Sequence, residues 1–138
     1  MQRLEQRERR LIYVAVALAV VASVLFAPSL LPRRDGYGDV TVQEARSLIE
    51  DKQDLVILDV RTASEYEDGH IEGAVNIPVQ ELSVRLDELS REDELLVYCR
   101  TGNRSAQAVD ILQDVGFTKI YHMNAGITGW IEAGYPVV

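Results

Sequence analysis

Apolar residues are distributed along this chain in two patterns. The first is a dense run, LIYVAVALAVVASVLFAPSLL from Leu11 to Leu31, in which 21 residues pass without a charge. As a helix it is long enough to cross the roughly 30 Å hydrocarbon core of a bilayer. No polar stripe interrupts it between Val14 and Ala22, so it reads as a membrane span rather than as a helix with one face on a core. The second pattern starts near residue 40 and alternates short apolar runs with stretches of helical spacing. Thr41 and Glu44 form a capping box, and Val42, Ala45, Leu48 and Ile49 share one face of the helix it starts, which is predicted to end near Asp51. LVILDV at 55–60 has the continuous apolar character of a strand buried on both faces. Ser64 and Glu67 suggest a second capping box and one or two helical turns stopped by Gly69. GAVNIP at 73–78 predicts a brief strand, and Val79, Leu82, Leu86 and Leu89 mark a helix face. After the solvated charges of 91–94, LLVYC at 95–99 predicts a third strand. Ala106, Val109, Leu112 and Val115 then define the inner face of a helix closed by Gly116, KIYHM at 119–123 a fourth strand, and ITGWIEAGY a final short helix.

Strands alternating with amphipathic helices predict an α/β fold, a mainly parallel sheet with helices on both faces, preceded by one transmembrane helix. The chain of 138 residues supports one domain of about 100 residues. Its expected organisation is a basic N-terminal segment at 1–10, a transmembrane helix or uncleaved signal anchor at 11–31, a linker at 32–39 and the domain at 40–138. The linker holds Gly36 and Gly38 and lacks apolar periodicity, which predicts a short flexible tether keeping the domain near the bilayer surface. A cleaved signal peptide, which would release a secreted domain, is the rival reading. Against it, the apolar core from Leu11 to Ala27 is longer than a usual signal core, and APS at 27–29 is the nearest approach to a cleavage site.

Charge sharpens this division. Residues 1–38 hold six arginines against three acids, whereas 39–138 hold eight basic residues against nineteen acidic ones, a net of −11. An acidic surface repels phosphate backbones, so nucleic acid is excluded as a general partner. Four arginines precede the apolar run (Arg3, Arg7, Arg9, Arg10) and Arg33 and Arg34 follow it, which places the N-terminus in the cytoplasm and the domain outside.

Cys99 is the sole cysteine, so no internal disulfide, CxxC redox pair or cysteine-based zinc site is available. It stands at the carboxyl end of a predicted strand, where ligands bind in parallel sheets, and opens the loop CRTGNRS at 99–105. Gly102 and Asn103 tolerate backbone conformations closed to other residues, and the following helix presents N–H groups and a positive dipole end. Together they form an anion cradle in which Arg100 and Arg104 add charge, so the thiol is expected to ionise readily. The competing reading is a small buried hydrophobe, but the polar, glycine-containing residues after Cys99 suit an exposed turn better than a core.

Three segments in order, LDVRTASEYEDGHIEGAVNIP at 58–78, VYCRTGNRSAQA at 97–108 and GITGWIEAGYPV at 126–137, resemble the single-domain rhodaneses, a family of sulfurtransferases, over residues 40–138. The resemblance implies a rhodanese-like fold and a Cys99 nucleophile that takes the outer sulfur of a donor such as thiosulfate, becomes a persulfide and passes the sulfur to a thiol or cyanide. Two displacements through a covalent intermediate predict ping-pong kinetics, with no metal and no cofactor. Arg100, Thr101, Gly102, Asn103, Arg104 and Ser105 would bind the substrate, their N–H groups surrounding the transferred sulfur and Arg100 or Arg104 holding the sulfonate end. Either arginine has the plainer alternative of a surface charge or the partner of a neighbouring acid. Asp59 and Arg61 would form a polar network beside the site and Trp130 would pack beneath the loop; His70 and His122 read as structural. Phosphatase-type loops on related folds carry Cys-x5-Arg, whereas here position 105 is serine and the arginine falls at 104; by the family's association of loop length with substrate, the resemblance implies sulfur rather than phosphate. The alternatives are a non-catalytic rhodanese-like binding or regulatory module and a persulfide carrier serving a protein acceptor; a phosphatase or arsenate-reducing role stands further off.

Overall fold

The structure, a computed structural model, describes residues 37–138. The expected span at 11–31 and most of the linker lie outside the described residues. Among the described residues no helix is long and apolar enough to cross a membrane.

In chain order the elements are β1 (Gly38–Val40), α1 (Val42–Asp51), β2 (Val56–Asp59), α2 (Ala63–Glu67), β3 (Val75–Asn76), α3 (Val79–Leu82), a 3₁₀ turn (Leu86–Glu88), β4 (Leu95–Tyr98), α4 (Asn103–Asp114), β5 (Ile120–Met123) and α5 (Gly126–Glu132). The five strands form one sheet in the order β1-β5-β4-β2-β3, and every pairing is parallel. The alternation of strand and helix thus reports the architecture correctly, with β4 at the centre of the sheet.

Side chains alternate across the sheet and feed two cores. Leu58, Leu95, Val97 and Ile120 face one way and pack with Leu82, Ala108 and Leu112 from α3 and α4. Ile57, Leu96, Tyr98, Tyr121 and Met123 face the other way and pack with Val42 and Ala45 of α1 and Ile127 and Trp130 of α5. Burial on both faces explains why β2 and β4 read as continuous apolar runs.

Four details depart from the pattern-based expectation. Gly38 and Asp39, assigned to the end of the tether, form with Val40 an edge strand paired with β5 in the register Asp39 to His122. Three residues with one buried side chain are too few to show a period of two. The capping box of α2 is Thr62 with Glu65, two residues before the Ser64 and Glu67 pair. Arg61 sets this start, because its N–H and guanidinium both bond Asp59 and fix the chain just past β2. The face of Val79, Leu82, Leu86 and Leu89 is divided between α3 and the 3₁₀ turn, joined by successive i to i+3 bonds such as Val84 N–H to Glu81 and Arg85 N–H to Leu82. In α4, Ala106 is exposed, and the buried stripe runs through Ser105, Ala108 and Leu112. Counting apolar residues alone missed this, because the first inward residue of the helix is a serine.

Candidate active site

Parallel strands bring their carboxyl ends to one edge of the sheet, and that edge holds Cys99 after β4, Arg61 after β2 and Asn124 to Gly126 after β5. The loop after Cys99 is held down by backbone bonds from Ile127 N–H to the Cys99 carbonyl (2.9 Å) and from Thr128 N–H to the Arg100 carbonyl (3.2 Å). Two glycines permit so close an approach. Gly102 has φ +99° and Gly126 φ +63°; a Cβ on Gly126 would lie 2.3 Å from the Arg100 oxygen and one on Gly102 2.2 Å from the Asn124 oxygen.

Within this loop the Cys99 sulfur accepts the Gly102 N–H at 3.1 Å and the Ser105 hydroxyl at 3.3 Å. Burial pushes the thiol pKa up, but the Ser105 hydroxyl and the N–H groups of Ser105, Gly102 and Thr101 outweigh it and hold the thiol below its ordinary value. The residue is only 1% exposed. The cradle therefore has the predicted donors, and the turn after Cys99 is exposed as expected, while the cysteine side chain itself is covered. Arg100, Thr101 and Asn103 are exposed; Gly102 caps the N-terminus of α4 and is buried.

The two arginines of the loop differ in their surroundings. Arg104 places both terminal nitrogens on Glu65, at 2.6 and 2.8 Å. Glu65 also accepts from Thr62 in the α2 capping box, and the Arg104 guanidinium together with these bonds holds its pKa down to about 2. Arg100 lines a pocket of about 380 Å³ beside the loop, with Arg61, Glu65, Thr128, Ile131 and Val137 among its walls. Arg100, the chain neighbour of Cys99, is a wall residue of this pocket, and Cys99 itself is not.

Asp59 and Arg61 form a buried ion pair, 2.6 Å at its shortest, and Arg61 also donates to the Gly69 carbonyl at 2.8 Å. Trp130 is buried among the α1 and α5 side chains and donates through Nε1 to the Pro136 carbonyl at 2.9 Å, with its ring against Tyr135. His70 stacks on Tyr66 with ring centroids 3.7 Å apart and contacts the Tyr66 carbonyl through Nδ1.

Sequence reasoning missed three contributors. Glu65 was visible as the fourth residue of Thr-Ala-Ser-Glu but was passed over for the later capping box. Asp39 and His122 meet only through the β1–β5 pairing, with Nδ1 of His122 2.8 Å from the Asp39 carboxylate and Nε2 2.8 Å from the Ser105 hydroxyl. No local signal joins residues so far apart in the chain.

A five-stranded parallel α/β domain with an amide-ringed cysteine at the end of its central strand defines a class of thiol-bearing group-transfer domains. Residues 41–133 match the rhodanese-like domain family, and the chain belongs to it. A sulfurtransferase of Allochromatium vinosum is 32% identical over 88 residues, covering 64% of this chain and 82% of that protein. The thiosulfate sulfurtransferase GlpE of Coxiella burnetii is 32% identical over 100 residues, covering 72% and 92%. The crystal structure of a rhodanese-related protein from Thermoplasma volcanium superposes with a TM-score of 0.67 at 37% identity, covering 74% of this chain and 98% of that one. The homologues of this domain include sulfurtransferases, in keeping with sulfur transfer in general.

Proposed function

We propose that the protein is a membrane-tethered sulfurtransferase that moves a sulfane sulfur from a small anionic donor such as thiosulfate to a thiol or cyanide through a persulfide on Cys99. The observation that carries this reading is the pair of hydrogen bonds donated to the Cys99 sulfur by Gly102 N–H and the Ser105 hydroxyl. The Cys99 thiolate attacks the outer sulfur of thiosulfate; the S–S bond of the donor breaks and sulfite leaves with the electron pair. The acceptor then attacks the outer sulfur of the persulfide and Cys99 departs as the thiolate, stabilised by the same donors. Arg100, exposed on the pocket wall, holds the sulfonate, while Arg104 is committed to Glu65. The uncharged 11–31 run supports tethering, and the excess of arginines ahead of it supports an extracytoplasmic domain.

Incubation with thiosulfate is expected to add one sulfur atom to the intact mass, and Cys99→Ser to abolish the gain. Arg100→Ala is expected to raise KM for thiosulfate roughly tenfold or more, the loss of one charge-assisted contact, whereas Arg104→Ala lowers the melting temperature more than it changes KM. The near-complete burial of Cys99 favours a second reading, a non-catalytic binding module. Absence of any mass gain with several sulfane donors would establish that reading instead.

A further inference from the structure

Ser105 has one hydroxyl proton and three acceptors within reach: Cys99 Sγ at 3.3 Å, the Gly102 carbonyl at 3.0 Å and His122 Nε2 at 2.8 Å. The Gly102 carbonyl already accepts the Ala106 N–H of α4. On its far side His122 places Nδ1 2.8 Å from Asp39, whose carboxylate also accepts from the Asn124 amide. An ionised carboxylate only accepts, so Nδ1 must carry a proton; a bare nitrogen there would set two acceptors against each other. Two proton arrangements then satisfy the chain. With the imidazole neutral, Nε2 accepts a hydrogen bond from the Ser105 hydroxyl and Cys99 donates its S–H to Ser105 Oγ. With the imidazole charged, Nε2–H donates to Ser105 Oγ, and the serine turns its proton to a Cys99 thiolate.

Building on the sulfur-transfer reading, we propose that His122 is a positioning residue that holds the proton of Cys99, through Ser105, and that Asp39 fixes its tautomer. In the step linking the two arrangements, the Cys99 S–H bond breaks and its proton passes to Ser105 Oγ. The serine's own proton passes at the same time to His122 Nε2. Two protons shift in concert with a net transfer of one from sulfur to imidazole, nothing is oxidised or reduced, and a thiolate–imidazolium pair replaces two neutral groups. His122 is 8% exposed, so the charge it takes is held through its hydrogen bonds to the serine and to Asp39, whose own carboxylate is open to solvent.

The surroundings of His122 suit this role. From β1 the facing titratable group is Asp39; from α4 the facing group is Ser105. Across β4 the register partner is Val97, with Cys99 beyond the strand end. Arg104, the charged residue next to Ser105, is bound to Glu65. Among the described residues, Asp39 and Cys99 are therefore the charges that reach the imidazole by a recorded contact, directly or through Ser105.

Because Cys99 is the one thiol of the chain, its alkylation by iodoacetamide, followed by intact mass of the full-length protein across pH, reports this site alone. His122→Gln keeps a donor for Ser105 but cannot take a proton. Its rate profile is expected to shift upward by about one pH unit, which lowers the rate about tenfold below the native midpoint and leaves the alkaline plateau unchanged. Asp39→Asn is expected to shift it the same way by less. A purely structural role would change the melting temperature or plateau without moving the midpoint, so superimposable profiles for His122→Gln and the native chain overturn the proposal. If the variant fails to fold, the imidazole titration of His122 by NMR decides the matter: its midpoint is expected to fall in Cys99→Ala, and an unchanged midpoint overturns the coupling. Neither readout involves sulfur transfer, so failure to load thiosulfate sulfur would sink the enzymatic reading and leave this one standing.

Discussion

Glu65 connects the start of α2 to the first turn of α4, accepting from Thr62 on one side and from both terminal nitrogens of Arg104 on the other. Its carboxyl is held at about 2, against an ordinary 4.5, chiefly by Arg104. A carboxyl whose pKa is lower in the folded chain stabilises the fold at neutral pH, and that stabilisation is lost as pH falls from about 5 toward 2. The carboxyl is 27% exposed, so water screens part of the effect, and about 1–2 kcal/mol is expected. The native melting temperature should fall across that window, and Glu65→Gln should start lower at pH 7 and vary less through it. At this scale the cysteine loop was legible because the groups that donate to the sulfur lie within seven consecutive residues. Glu65 was half legible, its capping role written locally and its hold on Arg104 only in three dimensions. Asp39 and His122 were not legible as a pair, because strand pairing alone brings them together.

The elements around the site owe their positions to polar residues that hydrophobic spacing does not count. Ser105 turns the buried stripe of α4 toward Cys99, and Asp59 with Arg61 sets where α2 begins. Spacing located nearly every helix and the strands β2 to β5 but mistook which capping box was used, because Thr62/Glu65 and Ser64/Glu67 satisfy the same rule. It also took two short turns for one helix, since apolar steps of three and four suit both. The docking of the α5 start against the cysteine loop leads to a direct expectation. Gly126→Ala would push a methyl group into the Arg100 carbonyl and force a positive φ on a residue with a side chain. A loss of several degrees in melting temperature is expected, together with a slower rate of Cys99 alkylation. Gly134→Ala, also at positive φ but in open space, should lower the melting temperature less and leave that rate unchanged.

Across the whole domain, parallel pairing gives the sheet two unlike poles. The thiol, the Arg61 and Arg100 guanidinium groups and the turn after β5 gather at one. At the other the chain enters at Tyr37, whose hydroxyl donates to Glu94 just ahead of β4. The ring of Tyr37 also lies 5.1 Å from that of Tyr121, which secures β1 to the sheet where the chain arrives. Tyr37 thus acts as a clasp on β1 at the end of the sheet remote from the thiol. Tyr37→Ala, which opens that clasp, is expected to lower the melting temperature by a few degrees and leave the rate of Cys99 alkylation unchanged, and a markedly altered rate would show that the two ends of the sheet are coupled.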